Sequence, residues 1–348
     1  MLRALFLILV TLTFSMSSAA DLKVFDRMDV FGLQWVSNPQ ISPHGESVVY
    51  QRNSMDVMTD KATSRLWMIN SDGSGHAPLS GHDVTESGAA WSPDGSRIAF
   101  ISKSTNGAEI FVYWIKNGKT ARLTQLERSP RGLSWSPDSS RLAFTDDTVQ
   151  SGVVRLYNNL VDASDRVELI DVQDVEAPII VDWAWSPDSS RIAYRADQSI
   201  AGKVELYTIE TDGDWHRKMN GILLENTAIQ DQWDWSPDSI YVSFYAEQST
   251  AVNLDEFYVS AADASARNKV NLALESNTQL IVSNQSWLND SSRLIYQTSP
   301  DGQKVNAIYS VLPGGSNAIR LSAELTSDES MTSWFLAAPD NSRLLYLV

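Results

Sequence analysis

The chain has 348 residues, which is enough for one large domain or two ordinary ones, and its formal net charge is −16. A chain this acidic repels phosphate backbones, so nucleic acid is not expected among its partners. The sequence contains no cysteine, which excludes disulfides and a lipid-anchored cysteine.

The first twenty residues have the pattern of a secretory signal peptide. Arg3 gives a positive start, residues 5–14 form an apolar run, and residues 18–20 are small, as a cleavage site requires. The apolar run is too short to span a bilayer; the alternative is a buried N-terminal helix. We expect cleavage near Ala20, a periplasmic or secreted protein without a membrane span in the mature chain, and a lead-in over residues 21–35.

A string of Trp, Ser, Pro and Asp recurs along the chain. It reads WSPD at residues 91–94 and at three later places, and degenerate copies flank these. With Pro, or Asn289 in its place, as the marker, there are seven copies at spacings of 44 to 52 residues. A period of this size indicates an array of repeated structural units. The residues that define the repeat are Pro43, Trp91, Pro93, Asp94, Trp135, Pro137, Asp138, Trp185, Pro187, Asp188, Trp235, Pro237, Asp238, Trp287, Asp290, Pro339 and Asp340.

Strand patterns follow each copy of the string. An apolar run comes first, as at residues 98–100 and 192–194, and a second run with an aromatic residue then ends in turn residues, as in LYTIETDG from Leu206. With a short polar strand before the next copy, each unit holds about four strands in roughly 50 residues, which is typical of a propeller blade. We predict an all-β fold, a β-propeller of four-stranded antiparallel blades over residues 36–348, with six complete units and an incomplete seventh.

The string itself is typical of a turn. The turn is counted from the Ser, as in Ser92-Pro93-Asp94-Gly95. Pro at its second position already has the φ that the turn needs, and the Asp carboxylate at its third can accept backbone N–H bonds. Gly95 occupies the fourth position, but Ser139, Ser189 and Ser239 replace it in later copies, so we expect that a positive φ is not needed there. The Trp before the turn is large enough to fill the space between adjacent blades.

Two further interpretations concern the charges around the turn. An arginine in the following strand, as at Arg97 and Arg191, is spaced to reach an Asp across the turn or in the next blade. Alternatively, the Asp carboxylates of successive copies form a ring of ligands or catalytic acids.

The sequence offers no recognisable catalytic, metal or cofactor motif. A nucleophile elbow G-x-S-x-G, a phosphate-binding G-x-x-x-x-G-K-[ST] loop and histidines paired at ligand spacing are all absent. Acidic runs such as residues 162–165 and 171–176 are either a solvated face or a calcium site, and none has the spacing of the twelve-residue calcium loop. We therefore predict no catalytic residue, no metal and no cofactor for this chain.

One constellation is a candidate for ligand binding. Asp182 and Trp183 precede one WSPD string, and Asp231 and Trp233 stand in a similar stretch before the next. We predict that these four side chains are ligand contacts at the mouth of the propeller channel. The alternative is that the tryptophans belong to the core and the aspartates to blade edges.

The repeats also resemble known families. WSPDGSRIAF at residues 91–100, followed by an aromatic strand and Asp-Gly, resembles the blade signature of periplasmic TolB-like propellers and of propeller domains in the prolyl oligopeptidase family. Residues 29–78 and 129–137 resemble the opening of peptidases of the acylaminoacyl-peptidase or dipeptidyl-peptidase type. The resemblance implies a propeller that restricts the access of peptides to a Ser, Asp and His triad. In that family the triad lies on a later α/β-hydrolase domain, which this sequence lacks.

The turn string that opens a unit occurs seven times, but the aromatic strand that follows later in the unit occurs six times. The last residues, 343–348, fall within the second strand of unit seven. We expect an N-terminal fragment or a truncated relative of a longer protein. The first functional hypothesis is a non-catalytic propeller that gates substrate access in an exported serine peptidase, with peptides as partners. The alternative is a stand-alone periplasmic scaffold that binds envelope proteins, and a weaker one is a propeller enzyme with its own site.

Overall fold

The computed structural model describes residues 26–81, 84–104, 107–126, 129–146, 154–170, 179–225, 227–248, 256–271, 281–299, 307–325, 329, 331 and 334–348. The predicted signal peptide and the acidic run at residues 171–176 lie outside these ranges. The described chain opens with a 3₁₀ helix, Arg27–Gly32, whose N-cap Asp26 accepts a hydrogen bond from the backbone N–H of Met28. Within the described ranges, no helix is long and apolar enough to cross a membrane.

All other elements are strands, and they pair in chain order into antiparallel sheets that we number as blades. Blade 1 contains β1 (Gln34–Ile41), β2 (Ser47–Asp56), β3 (Lys61–Asn70) and β4 (Ala77–Pro78). Blade 2 contains β5 (Thr85–Trp91), β6 (Arg97–Ser104), β7 (Gly107–Trp114) and β8 (Lys119–Arg122). Blade 3 contains β9 (Arg131–Trp135), β10 (Arg141–Asp146), β11 (Arg155–Leu160) and β12 (Arg166–Glu168).

The remaining blades follow the same order. Blade 4 contains β13 (Ile180–Trp185), β14 (Arg191–Ala196), β15 (Glu205–Glu210) and β16 (Arg217–Lys218). Blade 5 contains β17 (Trp233–Trp235), β18 (Tyr241–Ala246), β19 (Glu256–Ala261) and β20 (Arg267–Lys269). Blade 6 contains β21 (Ile281–Trp287), β22 (Leu294–Ser299), β23 (Ala307–Val311) and β24 (Ile319–Arg320), and blade 7 contains β25 (Phe335–Ala337) and β26 (Leu344–Tyr346). The predicted all-β propeller with six complete units and an incomplete seventh is confirmed.

The antiparallel order places the connections of every blade at two ends. We call the end that carries the WSPD turns, between the first and second strands, the turn face; the turns between third and fourth strands lie there too. The opposite end, where the chain passes from one blade to the next, is the loop face. First strands of neighbouring blades lie side by side, as β5 and β9 do, so they form the inner wall of the array.

The hydrophobic core consists of clusters that each combine two consecutive blades. Between blades 2 and 3, Ile110 and Leu123 pack with Phe144 and Tyr157. The same arrangement recurs between blades 3 and 4, 4 and 5, and 5 and 6. A four-stranded sheet has two apolar faces that it cannot bury alone, so each blade is stabilised by its neighbours.

An aromatic pair joins the second and third strands of blades 2 to 6. The two rings stand directly opposite each other in the strand register, as Tyr194 and Tyr207 do. Their centroids lie within stacking distance, which explains why an aromatic residue recurs in these strands. The pairs are Phe100–Phe111 (5.9 Å), Phe144–Tyr157 (5.6 Å), Tyr194–Tyr207 (5.4 Å), Phe244–Tyr258 (5.7 Å) and Tyr296–Tyr309 (6.0 Å).

Each WSPD string forms a tight turn in which one carboxylate oxygen of the aspartate accepts hydrogen bonds from the turn itself. Asp94 Oδ1 accepts hydrogen bonds from Ser92 Oγ (2.5 Å), from the Ser96 backbone N–H (3.0 Å) and from Ser96 Oγ (2.8 Å). The aspartates of the next two copies make the same set of contacts. Partial burial raises the pKa of Asp94, but the hydrogen bonds from Ser92 and Ser96 and the charge of Arg97 outweigh it and lower the pKa to about 2.

The tryptophan before each turn bonds to the preceding blade. The indole N–H of Trp135 donates to the backbone oxygen of Ala90 at 2.9 Å, and those of Trp91, Trp185 and Trp235 donate to the equivalent oxygens of their preceding blades. Trp287 donates instead to Ser243 Oγ at 3.1 Å. A polar bond therefore accompanies the apolar contact between blades.

The expectation that the fourth turn position needs no positive φ is wrong. Gly95 has a φ of 67°, and the serines that replace it have nearly the same value: 63° at Ser139 and 65° at Ser189 and Ser239. The left-handed conformation costs a residue with a Cβ about 1–2 kcal/mol. The physical reason for its use is a hydrogen bond between blades, because Ser139 Oγ accepts the backbone N–H of Asp94 in the preceding blade at 3.1 Å.

This bond recurs along the array. The backbone N–H groups of Asp138, Asp188 and Asp238 donate to the left-handed serines of the following blades at 2.9–3.0 Å. Between blades 1 and 2 the link differs, since His44 Nε2 lies 3.2 Å from the backbone oxygen of Asp94. A Cβ at Gly95 would lie 3.0 Å from the His44 ring, so glycine at this position makes room for the histidine.

The strand arginines reach the turn carboxylate in one case and not in the other. Arg97 Nη2 lies 3.5 Å from Asp94 Oδ2, as expected. Arg191 pairs instead with Glu210 on its own blade. The strand register places Glu210 directly opposite Arg191, so this carboxylate is the nearer partner.

The paired variants Ser139→Ala and Ser139→Gly isolate the cost of the left-handed conformation. Both lose the hydrogen bond to Asp94, but only alanine keeps a Cβ at positive φ. We expect Ser139→Ala to be less stable than Ser139→Gly by about 1 kcal/mol, measured by urea unfolding. At Ser71, which is exposed and has no positive φ, alanine should instead be the more stable replacement. Equal stability of the two Ser139 variants would contradict this explanation.

The low pKa of Asp94 predicts a pH-dependent contribution to stability. A carboxylate with a pKa of about 2 in the folded chain and about 3.9 in the unfolded chain stabilises the fold above about pH 4. That contribution is lost as the pH falls toward 2. The stability difference between wild type and Asp94→Asn should therefore be largest at pH 5–7 and smaller at pH 3, by urea midpoints. A difference that stays constant from pH 7 to pH 3 would show that the carboxylate charge is not involved.

Candidate functional site

The structure brings together two of the four residues predicted at the channel mouth. Asp182 lies in β13, the first strand of blade 4, and Trp233 is the first residue of β17 in blade 5. The indole N–H of Trp233 donates to Asp182 Oδ1 at 3.1 Å. This contact joins the inner strands of two blades on the loop face.

A buried arginine completes the cluster. Arg195 Nε lies 2.9 Å from Asp182 Oδ1 and 3.1 Å from Oδ2, its Nη2 also donates to Oδ2, and its Nη1 donates to the backbone oxygen of Ile229 at 3.1 Å. Only 6% of Arg195 is exposed. Burying a guanidinium requires a charged partner and filled hydrogen bonds, and Asp182 supplies both. We call Asp182, Arg195 and Trp233 the mouth cluster.

The other two predicted residues lie apart from this cluster. Trp183 packs toward blade 3, where a Cβ at Gly132 would lie 2.3 Å from its ring. Successive side chains on a strand point to opposite faces, so Asp182 and Trp183 contact different blades. Asp231 is exposed on the loop before β17. Ligand contact by any of the four stays a prediction.

Arg195 was missed at the sequence level, although a signal was present. It lies directly opposite Asp182 in the strand register. The corresponding residues in blades 2, 3 and 5 are Ile101, Thr145 and Tyr245. An arginine in a strand that is otherwise apolar, with an acid in the preceding strand, indicates a buried ion pair.

A set of charged pairs lies at the start of the third strands. In blade 4, Glu205 accepts hydrogen bonds from Tyr207 Oη at 2.9 Å and from Lys218 Nζ at 3.0 Å. Partial burial raises the pKa of Glu205, but the hydrogen bonds from Lys218 and Tyr207 outweigh it and lower the pKa. Glu256, Tyr258 and Lys269 repeat this arrangement in blade 5. Blade 3 reverses the charges, with Arg155 paired to Glu168 at the same two positions.

The hydrogen bonds of the three placed histidines go to tyrosine, glutamine and backbone groups. His216 Nε2 lies 2.5 Å from Tyr194 Oη and 3.0 Å from Gln198 Nε2, and burial lowers its pKa. His76 bonds to Tyr50, and His44 bonds to backbone. For these three placed histidines, none of the hydrogen bonds found goes to a serine. Among the residues that the structure describes, no group of three His, Asp or Glu is placed to hold a metal ion.

The mouth cluster is suited to binding. Its charges are already paired, and its hydrogen bonds fix the carboxylate and the indole relative to each other. The side chain of Asp182 is still 38% exposed, so solvent reaches it beside the indole ring of Trp233. This geometry can recognise a cationic group that carries apolar neighbours.

Comparisons with known proteins agree with the fold and show a local likeness in sequence. No protein-family model matches the chain. Over 78 residues, 22% of this chain and 11% of the relative, it is 38% identical to dipeptidyl-peptidase 5 of Porphyromonas gingivalis. Over 105 residues, 30% of this chain and 16% of the relative, it is 28% identical to the uncharacterized peptidase YuxL of Bacillus subtilis. The matched stretches thus span less than a fifth of these relatives.

The likeness in structure is broader. Dipeptidyl peptidase 4 of Porphyromonas gingivalis aligns with 89% of this chain and 48% of its own length, at a TM-score of 0.61 and 13% sequence identity. At such low sequence identity, the structural alignment shows a shared fold and nothing about function. The chain is therefore a β-propeller similar to part of a dipeptidyl peptidase, with stretches that resemble bacterial peptidases in sequence.

Proposed function

We propose that this chain is the propeller of an exported serine peptidase of the prolyl oligopeptidase type. In this proposal the propeller restricts the entry of peptides to an active site on another domain, and it contributes no catalytic residue. The observation that carries the proposal is the fold shared with dipeptidyl peptidase 4 over 89% of the chain. The sequence likeness to dipeptidyl-peptidase 5 supports it.

The mouth cluster gives this role a physical basis. The exposed Asp231 puts negative charge on the loop face, and a short peptide presents a protonated amino terminus that such charge attracts. Arg195 balances the charge of Asp182, whose carboxylate oxygens can still accept a hydrogen bond from that terminus. Trp233 adds an apolar surface beside the Asp182 carboxylate. Arg195 holds Asp182 through several hydrogen bonds. In this proposal, peptides therefore meet a carboxylate whose position is fixed.

Purified mature chain should be inactive by itself. We expect no hydrolysis of dipeptidyl p-nitroanilides and no covalent labelling by a fluorophosphonate probe, because the described residues contain no serine bonded to a histidine. A serine hydrolase of known activity serves as the positive control in both assays. Labelling that heat denaturation abolishes would show an active nucleophile in this chain and would overturn the proposal.

The variant Asp182→Asn should weaken peptide binding, because it leaves the buried Arg195 without its charged partner and gives the mouth cluster a net positive charge. The same loss should lower the urea midpoint of the variant. Asparagine can still accept the indole N–H of Trp233, but it removes the negative charge. We expect a labelled octapeptide with a free amino terminus to bind several-fold more weakly to the variant, by fluorescence anisotropy, and an N-acetylated octapeptide to bind wild type and variant equally.

Asp214→Asn is the matched control, because Asp214 is an exposed acid of the same blade that lies on the turn face. Its binding curve should coincide with that of wild type. Urea midpoints establish that each variant is folded. If Asp182→Asn and wild type bind the free-amino octapeptide equally, the mouth cluster is not the entry for peptides.

A further inference from the structure

Blade 5 departs from the repeat at the start of its second strand. In blades 2, 3, 4 and 6 the turn string runs into a serine and an arginine, but in blade 5 these two residues are Ile240 and Tyr241. In blade 4 the register places Glu210 opposite Arg191, and the two side chains form an ion pair. The residue opposite Tyr241 is Ala261, so neither charge of that pair is present in blade 5.

A pocket lies on the turn face where these replacements occur. Its volume of about 490 Å³ is in the range of ligand-binding pockets. Ile240, Tyr241 and Ala262 of blade 5 line it, and Ile240 is 53% exposed. Arg191 of blade 4 and Gly314 of blade 6 also line it. Because its lining comes from three consecutive blades, the pocket extends across the width of blade 5, a span that suits an extended chain segment.

The tyrosine of this pocket belongs to an aromatic stack. Its ring centroid lies 6.1 Å from that of Trp287 in blade 6, with 14° between the ring planes. In blade 2 the guanidinium of Arg97 occupies the equivalent place, 5.1 Å from the ring centroid of Trp135 in blade 3. A ring therefore stands where other blades carry a cation, and it offers an apolar surface on which another ring can pack.

The charges around the pocket favour a cation. Arg191 pairs with Glu210, so its charge is balanced within blade 4. Asp263 also lines the pocket and is exposed. Hydrogen bonds from Ser265 lower the pKa of Asp263, which is therefore ionised at neutral pH. None of the other described residues that line the pocket is charged. The pocket thus combines an apolar surface with a net negative charge.

We propose that this pocket binds an extended segment of a partner protein in which an aromatic residue stands next to a basic one. The aromatic ring packs on Tyr241 and Ile240, and the basic side chain pairs with Asp263. The segment crosses blade 5 between Arg191 and Gly314. This pocket lies on the turn face and the mouth cluster lies on the loop face, so binding here is independent of the entry of peptides to the channel.

The test uses the full mature chain and synthetic peptides. The probe is the peptide GSGFKGSG with fluorescein on its amino terminus, which also keeps that terminus from the mouth cluster. Two matched peptides carry alanine in place of phenylalanine or glutamate in place of lysine. We expect saturable binding of the probe by fluorescence anisotropy. Binding should be about tenfold weaker for the alanine peptide, since the buried aromatic area is lost, and about fivefold or more weaker for the glutamate peptide, since attraction to Asp263 becomes repulsion.

Variants of the chain locate the site. The double variant Tyr241→Arg with Ala261→Glu rebuilds in blade 5 the ion pair of blade 4, so it should fold, fill the pocket with charged groups and weaken probe binding about tenfold or more. Ile240→Ser restores the residue of the other blades and should weaken binding about threefold. Ile222→Ser is the matched control, because Ile222 is an exposed isoleucine on the loop face of blade 4; it should leave binding unchanged. Urea midpoints establish that each variant is folded.

Several results would overturn the proposal: no saturable binding of the probe, equal binding of the alanine or the glutamate peptide, full binding by the double variant, or an equal loss in Ile240→Ser and Ile222→Ser. Sedimentation of the chain without peptide adds one more. A dimer that the double variant dissociates would assign the pocket to a second copy of the chain.

Discussion

The contact between one sheet and the next is the constraint on which the rest of this structure depends. A single blade is too thin to bury its own apolar side chains, and the core clusters consequently run between blades. An aromatic residue of the third strand shares a core cluster with apolar residues of the preceding blade, as Tyr157 does with Leu123. The repeat in sequence follows from this contact, because every blade must present the same two complementary faces.

Apolar packing alone would let neighbouring sheets slide or rotate, and the turn face prevents this with directional bonds. The indole N–H of Trp135 and the hydroxyl of Ser139 each bond to backbone groups of blade 2. The serine accepts a strained φ of 63° to do so. A cost of about 1–2 kcal/mol for the left-handed backbone is offset by a hydrogen bond of about 1 kcal/mol and by the fixed orientation that the bond gives two large apolar surfaces.

The fold was predictable from sequence because its signal repeats, whereas the site was predictable only in part. Spacing alone identified six complete units and an incomplete seventh. The positive φ of Ser139 could not be read locally, since the bond that compensates it comes from a backbone group 45 residues earlier. The alternation of side chains along a strand could have separated Asp182 from Trp183. Arg195 was overlooked because it lies outside the turn string and does not recur in the other blades.

The two faces of the array differ in how far their contacts repeat from blade to blade. On the turn face one set of contacts recurs from blade to blade, and a group that every blade repeats serves the packing that every blade needs. On the loop face the same positions carry different chemistry: Glu205 and Lys218 in blade 4 are replaced by Arg155 and Glu168 in blade 3. The reversed pair shows that this position accepts either sign of charge when the charge is paired, and in blade 6 the equivalent residue is the uncharged Ala307. The mouth cluster likewise occurs in one blade pair among those described, so the packing of blades in general does not depend on it.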